Sequence, residues 1–273
     1  MRSLAGNDRL EELGQTINDG GRITPEEAAM LWNQAPLAWL GALATGLKLA
    51  KSGTDLYYNR NFHIEPTNIC LFNCRFCSYR RATGDPDAWD YSLEEIERIA
   101  ERYRESGVTE VHIVGGVHPK HDLYHYIDMI RRVKSVLPEA TVKAFTAVEL
   151  NYMIDKAGLS KREGLTLLKD AGMEAIPGGG AEIFDEGLRA EICPEKGSSA
   201  EWLALHEEAH RLGIPTNATI LYGHAETLAQ RIDHLDRLRA LQDRTGGFNA
   251  FIPLKYRSAG NRMSDVGEVS ITE

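Results

Sequence analysis

The sequence predicts an α/β fold, a (β/α) barrel of the triosephosphate-isomerase type, partial or full, behind an N-terminal helical cap. Three observations carry this. Short β-type runs alternate with longer helical runs from Asn61 onward. Several of the β-type runs end in Gly, Pro, Asn or Glu, as in IVGGVHP, AIPGGGAE and ILYGH, where a barrel gathers its functional loops. The length of 273 residues suits one undivided core, since barrels of this class run to ~250 residues.

The cap comes first. In TPEEAAMLWNQAPLAWLGALATGLKLAKSG a Thr precedes Pro and two acids, which start a helix, and apolar residues then recur at helical spacing. We place the cap at residues 1–57 and the core at 58–273. Six β-type runs follow: NFHIEPTN, EVHIVGG, TVKAFTAVEL, MEAIPGGG, IPTNATILYG and FNAFIPLKY. Between them lie SLEEIERIAERYRESG, LYHYIDMIRRVKSVLP, KREGLTLLKDAG, SAEWLALHEEAHRLG and TLAQRIDHLDRLRALQDRTG. Strands spaced by helices of that length pair in parallel through right-handed crossovers. After FIPLKY only RSAGNRMSDVGEVSITE remains. That is too short for two more βα units, so both an open six-unit barrel and a chain ending before its closing units stay open.

Composition removes several function classes. A net charge of −9 gives no basic face for a phosphate backbone, so nucleic acid is not an expected partner. No run of roughly 18 apolar residues occurs, and the start MRSLAGNDRLEELG lacks the layout of a signal peptide. The expectation is a cytoplasmic protein without membrane insertion. In that reducing compartment closely spaced cysteines point to metal or redox chemistry rather than to disulfides.

Three of the four cysteines fall in CLFNCRFC, as Cys70, Cys74 and Cys77 on the loop after the first β-run. Buried hydrophobic cysteines have no reason to cluster beside Asn73, Arg75 and Arg80. A structural zinc needs four ligands, and the spare Cys193 lies far along the chain in the helical text AEICPEK, although His63 or His118 offer a fourth. Iron–sulfur ligation fits better: three thiolates on a four-iron cluster leave one iron open for a substrate.

Around that loop the sequence nominates further groups. The VGGVHP turn, with Gly115 and Gly116, lets backbone come close to a ligand. After IPGGG, Glu182 is an acid able to accept from a ribose diol, and no phosphate-loop motif accompanies these glycines. Glu149 closes the third β-run and aims at the same centre. Arg189 and Lys196 are candidates for a carboxylate partner. Asn217 lies within the fifth β-run and His224 at its end, an amide and an imidazole that can orient a substrate or move protons. His206 and His210, four apart among Glu207, Glu208 and Arg211, read as a solvated helix face.

The C-x3-C-x-aromatic-C pattern of Cys70, Cys74, Phe76 and Cys77 resembles the signature of the radical S-adenosylmethionine superfamily. The resemblance implies a [4Fe–4S] cluster on the three cysteines, S-adenosylmethionine chelated at the open iron, and a 5′-deoxyadenosyl radical. It also implies that Gly115 and Gly116 hold the methionine amino group, although Val117, His118 and Pro119 stand where many members have Glu-Pro. Within the superfamily, TNICLFNCRFCSYRR, VHIVGGVHP, KAFTAVEL, PGGGAEIF, ICPEK, TNATILYGH and GGFNAFIPL resemble the futalosine-pathway branch of menaquinone biosynthesis, and its aminofutalosine synthase family above all. His118-Pro119 and the run Thr146 to Glu149 separate it from the dehypoxanthine futalosine cyclases. The implied substrate is a small aromatic enol ether, and the implied partner a flavodoxin- or ferredoxin-type electron donor. The alternatives are a cyclase or deazaflavin-forming relative and, outside radical chemistry, a zinc-stabilised α/β barrel acting as hydrolase or binding module.

Overall fold

A computed structural model describes residues 8–270. The chain forms two compact units, Met1–Tyr58 with Thr227–Asp236, and Asn59–Glu226 with Arg237–Glu273. In the first unit lie α1 (Asp8–Asn18), α2 (Pro25–Gln34) and α3 (Leu37–Ser52). Leu10, Leu13 and Leu31 make its buried centre, with Ile17, Met30, Trp39 and Leu40 against them. Thr24 caps α2 as expected, accepting from the Glu27 amide while the Glu27 carboxylate accepts from the Thr24 amide.

The second unit is built on parallel strands β1 (Asn61–Ile64), β2 (Glu110–Ile113), β3 (Thr141–Ala144), β4 (Thr216–Tyr222) and β5 (Phe248–Lys255). Order β1-β2-β3 makes one sheet and β4-β5 another. Parallel bridges Lys143 to Ala175 and Ile176 to Thr216 join the two, so the six segments follow one another in chain order. The fourth expected strand is therefore present as two bridging residues only, because Pro177 and three glycines follow at once and end the extended backbone.

The helices between them are α4 (Leu93–Glu101), α5 (Leu123–Val136), α6 (Ala147–Lys156), α7 (Lys161–Asp170), α8 (Glu186–Ile192), α9 (Ser199–Arg211) and α10 (Leu228–Thr245), the last belonging to the first unit as far as Asp236. The Ser/Thr-x-x-Glu pattern starts four of them, with boxes at Ser92–Glu95, Thr146–Glu149, Ser160–Glu163 and Ser198–Glu201. One of these corrects the expected third strand. TVKAFTAVEL is extended only to Ala144, Phe145 turns to φ 61, and Thr146 caps a helix that already contains Glu149.

Alternation along the strands decides what faces what. Phe62, Ile64, Val111, Ile113, Val142 and Ala144 join the buried core with side chains of α5, α6, α7 and α9. The other face of the same strands carries Asn61, His63, Glu110, His112, Thr141 and Lys143, and it is the inner face, turned from the helices. Among the described residues no helix is long and apolar enough to cross a membrane.

His206 and His210 do not lie on a solvated face. His206 is fully buried, its ring 3.7 Å from that of Trp202, and Thr216 Oγ1 lies 2.8 Å from its Nδ1 and 2.9 Å from His210 Nε2. Trp202, Leu205 and Ala209, buried on the same helix, make this side of α9 its core side. Burial holds the His206 imidazole well below its ordinary pKa, so the folded chain keeps it neutral while the unfolded chain protonates it below about pH 6.5. Its stability is thus complete above that pH and declines as pH falls through it. The urea midpoint of wild type, relative to His206→Gln, should drop between pH 7 and pH 5. A pH-independent difference would contradict this; Glu149, which titrates in the opposite sense, cancels in the comparison.

Candidate functional site

The carboxyl ends of the strands bring together the loop after β1, the turn after β2, the start of α6, the glycine run after Ile176 and the turn after β4. Main-chain bonds lock the first two: the Leu71 amide donates to Val117 O at 2.8 Å, and the Gly116 amide to Thr67 O at 2.7 Å. The Val117 amide donates to Cys70 Sγ at 3.3 Å. A Cβ on Gly116 would stand 2.3 Å from Ile69 O, and one on Gly115 2.9 Å from Thr67 O. The close approach that requires these glycines is thus to the cysteine loop itself.

Cys70, Cys74 and Cys77 are free thiols. Cys74 is buried while Cys70 and Cys77 are partly exposed, so the loop is rooted by one thiol and open at the other two. Burial pushes the Cys74 thiol up to about 12 against the pull of Lys196, and burial raises Cys70 as well. A nucleophilic cysteine has a lowered pKa; these become thiolates only where a metal offsets the charge. Cys70 and Cys74 thus lack the lowered pKa of a nucleophile, and three thiols on one loop are a donor set that a metal cluster would take. Cys193, expected to lie far off, packs with Cys74 among Ile183, Leu188, Ile192, Tyr256 and Met263. It is 1% exposed, and burial lifts its thiol to about 11.

The acids are clamped. Glu149 Oε1 accepts from the Gly115 amide at 3.0 Å, and Oε2 from the Thr146 amide and hydroxyl, both at 2.7 Å. It is a capping acid, as α6 requires, but a buried one that also grips the β2 turn. Burial pushes its carboxyl up to about 7, opposed by those bonds from Thr146 and Gly115. Glu182, in the left-handed region at φ 48, pairs with Lys196, whose ammonium lies 5.1 Å above the ring of Phe76. Burial, the largest single influence, would lower the Lys196 pKa, but the Glu182 charge and hydrogen bond together with the Cys74 and Cys193 thiols outweigh it and raise it.

Other nominated residues serve the scaffold. Arg189, 2% exposed, donates to the carbonyls of Ala181 at 2.6 Å, Ile183 at 3.1 Å and Gly197 at 2.9 Å. Its guanidinium ties the glycine-rich loop to the segment after α8. His224 follows β4 with its side chain buried, Nε2 donating to Leu221 O at 3.0 Å and Nδ1 3.3 Å from Glu226. Asn217, 8% exposed, lies on the inner face of β4. Sequence reasoning missed a group beside the β2 turn: Asp90, His118 and His121, whose donor atoms lie within 4.8 Å of one another. His118 Nδ1 accepts from the Lys120 amide at 3.2 Å, so its proton sits on Nε2, towards Asp90. That makes the trio a carboxylate between two imidazoles, and it turns His118 away from the part of a fourth zinc ligand.

Residues 64–238 match the model of the Radical SAM superfamily. The chain is 42% identical to the aminodeoxyfutalosine synthase of Thermus thermophilus over 100% of this chain and 73% of that one. For the synthase of Streptomyces coelicolor the figures are 41%, 93% and 66%. A 5-amino-6-(D-ribitylamino)uracil–L-tyrosine 4-hydroxyphenyl transferase of Methanothermobacter thermautotrophicus is 40% identical over 86% of this chain and 64% of its own. The chain thus spans about two thirds to three quarters of the length of these relatives. The FeFe-hydrogenase maturase HydG of Carboxydothermus hydrogenoformans shares the fold, with a TM-score of 0.74 at 18% identity over 94% of this chain and 58% of that one. The cysteine loop at the end of β1, the parallel strand order and the matched residues agree: the chain belongs to the radical S-adenosylmethionine superfamily.

Proposed function

We propose that this chain acts as an aminodeoxyfutalosine synthase. The observation that carries the reading is its similarity to two such synthases over almost its whole length, with Cys70, Cys74, Phe76 and Cys77 in the superfamily's pattern. When bound, the [4Fe–4S] cluster and S-adenosylmethionine would supply a 5′-deoxyadenosyl radical that adds to the enolpyruvyl double bond of 3-[(1-carboxyvinyl)oxy]benzoate, the aryl group migrating from oxygen to carbon and the carboxylate leaving as carbon dioxide with return of one electron to the cluster, to give 6-amino-6-deoxyfutalosine.

The chain's own part is placement and electrostatics. Cys70, Cys74 and Cys77 hold the cluster, and Phe76 supports Lys196. Glu149 fixes the Gly115-Gly116 turn, whose backbone would hold the methionine amino group of the cofactor. Glu182 offers the carboxylate oxygen not facing Lys196 to the ribose hydroxyls. Arg189 acts through the glycine loop that it ties down. Asn217 orients the substrate from β4, and His224 keeps the end of that strand closed to water. A one-electron reductant starts the reaction, and a flavodoxin- or ferredoxin-type carrier fits that need.

Similarity to the hydroxyphenyl transferase supports a second reading, in which the radical removes hydrogen instead of adding. The fate of the adenosyl group separates the two. With reductant, the enol ether and S-adenosylmethionine labelled in its adenosyl moiety, the label should enter an adenine-bearing aryl ketone, with one methionine formed per product. Quantitative recovery of the label as free 5′-deoxyadenosine would overturn the synthase reading.

A further inference from the structure

The proposed substrate carries two carboxylates, and of the cations that the sequence offers them, Arg189, Lys196 and Arg80, the first two are already engaged. Arg189 spends its guanidinium on backbone carbonyls, and Lys196 is paired with Glu182. Lys143 on the inner face is likewise ion-paired, with Glu110, but unlike Lys196 it stands in one row with two imidazoles, whose N–H groups give a doubly anionic ligand another seat.

Strand register puts His63 of β1 beside His112 of β2, and His112 beside Lys143 of β3. All three project to the inner face, one residue before the strand ends at Ile64, Ile113 and Ala144, beyond which the cysteine loop and the Gly-Gly turn follow. The imidazoles lie 4.6 Å apart, tilted by 58°. His63 is exposed, whereas His112 Nε2 is buried and has no hydrogen-bond partner among the described residues. A buried polar atom of this kind ordinarily has a partner. Lys143 is paired with Glu110 at 2.5 Å, and Asn59 and Asn61 hold that carboxylate at 3.2 Å and 3.3 Å. The cation is thereby fixed one strand from His112, its charge partly offset from the layer beneath. Ala175 bridges to Lys143 on its other side, so a small side chain follows in the row.

We propose that His63, His112 and Lys143 form a carboxylate seat on the inner face, which takes the benzoate carboxylate of the substrate. The assignment rests on the synthase reading. The reacting enolpyruvyl end must lie level with the cofactor at the strand ends, and the carboxylate across the ring then reaches down the inner face. There two imidazole N–H groups donate to its oxygens, with the ammonium behind them. Burial, together with the neighbouring His63, holds the His112 pKa down to about 4; the ring is a neutral donor, and an arriving anion favours its protonation.

The test compares anaerobically reconstituted wild type with the His63→Gln/His112→Gln double variant, on the benzoate substrate and on its uncharged benzamide analogue. The seat predicts a KM for the benzoate raised about 10- to 100-fold in the variant, as for loss of charge-assisted bonds. It also predicts little change for the benzamide, and unchanged iron content and cofactor affinity. A wild-type KM for the benzoate, or an equal loss on both compounds, overturns the seat while leaving the synthase reading standing. A wild-type protein that makes no adenosyl adduct from the benzoate overturns the reading and the seat with it. Should the double variant lose its iron, the exchange Glu110→Gln/Lys143→Gln removes the backing pair as a unit and is judged by the same two readings.

Discussion

Glu182→Ala should lower stability by about 3–5 kcal/mol, the cost of leaving one partner of a buried ion pair alone, and weaken S-adenosylmethionine at least about tenfold through lost hydrogen bonds. The side chains of Lys196 and Glu182 are only 16% and 11% exposed. With the acid gone, an ammonium above Phe76 and beside the Cys74 thiol loses the largest of the influences that oppose its burial. Glu182→Gln should cost less, since the amide oxygen still accepts from Lys196. The urea midpoint gives the first quantity and anaerobic calorimetry the second. A Glu182→Ala chain as stable as wild type, or one with unchanged cofactor affinity, would contradict the role drawn for this pair.

Gly178→Ala should cost about 2–5 kcal/mol. Two terms add: a left-handed backbone disfavours any Cβ by ~1–2 kcal/mol, and overpacking adds ~1–3 kcal/mol. The position has φ +83, and a Cβ there would lie 2.0 Å from Asn217 O, the backbone of β4, which cannot move without breaking its pairing with β5. Gly20→Ala isolates the first term, because its φ is +79 and nothing lies within 4 Å of the added atom. The denaturant midpoint of Gly178→Ala should fall well below that of Gly20→Ala. Equal midpoints would mean that the glycine run is not pressed against β4.

Much of this was legible in the sequence because it is local. Period-2 and period-3.6 patterns mark the strands and helices, and each Ser/Thr-x-x-Glu start is closed within one turn. The cysteine loop is equally local, with three ligands inside eight positions. What was not legible depends on neighbours distant in the chain. Glu149 reads as a strand-end acid until Phe145 reverses the backbone and makes it a cap. Arg189 reads as a free cation until the carbonyls of Ala181 and Ile183 are found against it. Cys193 sits 116 positions beyond Cys77 in sequence, yet it packs on the same side chains as Cys74. His63, His112 and Lys143 fall on three separate strands, and only register puts them in one row; their signal was polar residues at inward positions of otherwise apolar runs.

The central claim is that Cys70, Cys74 and Cys77 hold one four-iron cluster and that Cys193, although close, does not. Iron and acid-labile sulfide counted after anaerobic reconstitution test it most directly, in wild type, Cys77→Ser and Cys193→Ser. The account predicts about four iron and about four sulfide per chain in wild type and in Cys193→Ser, and loss of the full cluster in Cys77→Ser. Zinc in place of iron in the wild-type protein, or a Cys193→Ser chain that is empty while Cys77→Ser keeps its full complement, would contradict it.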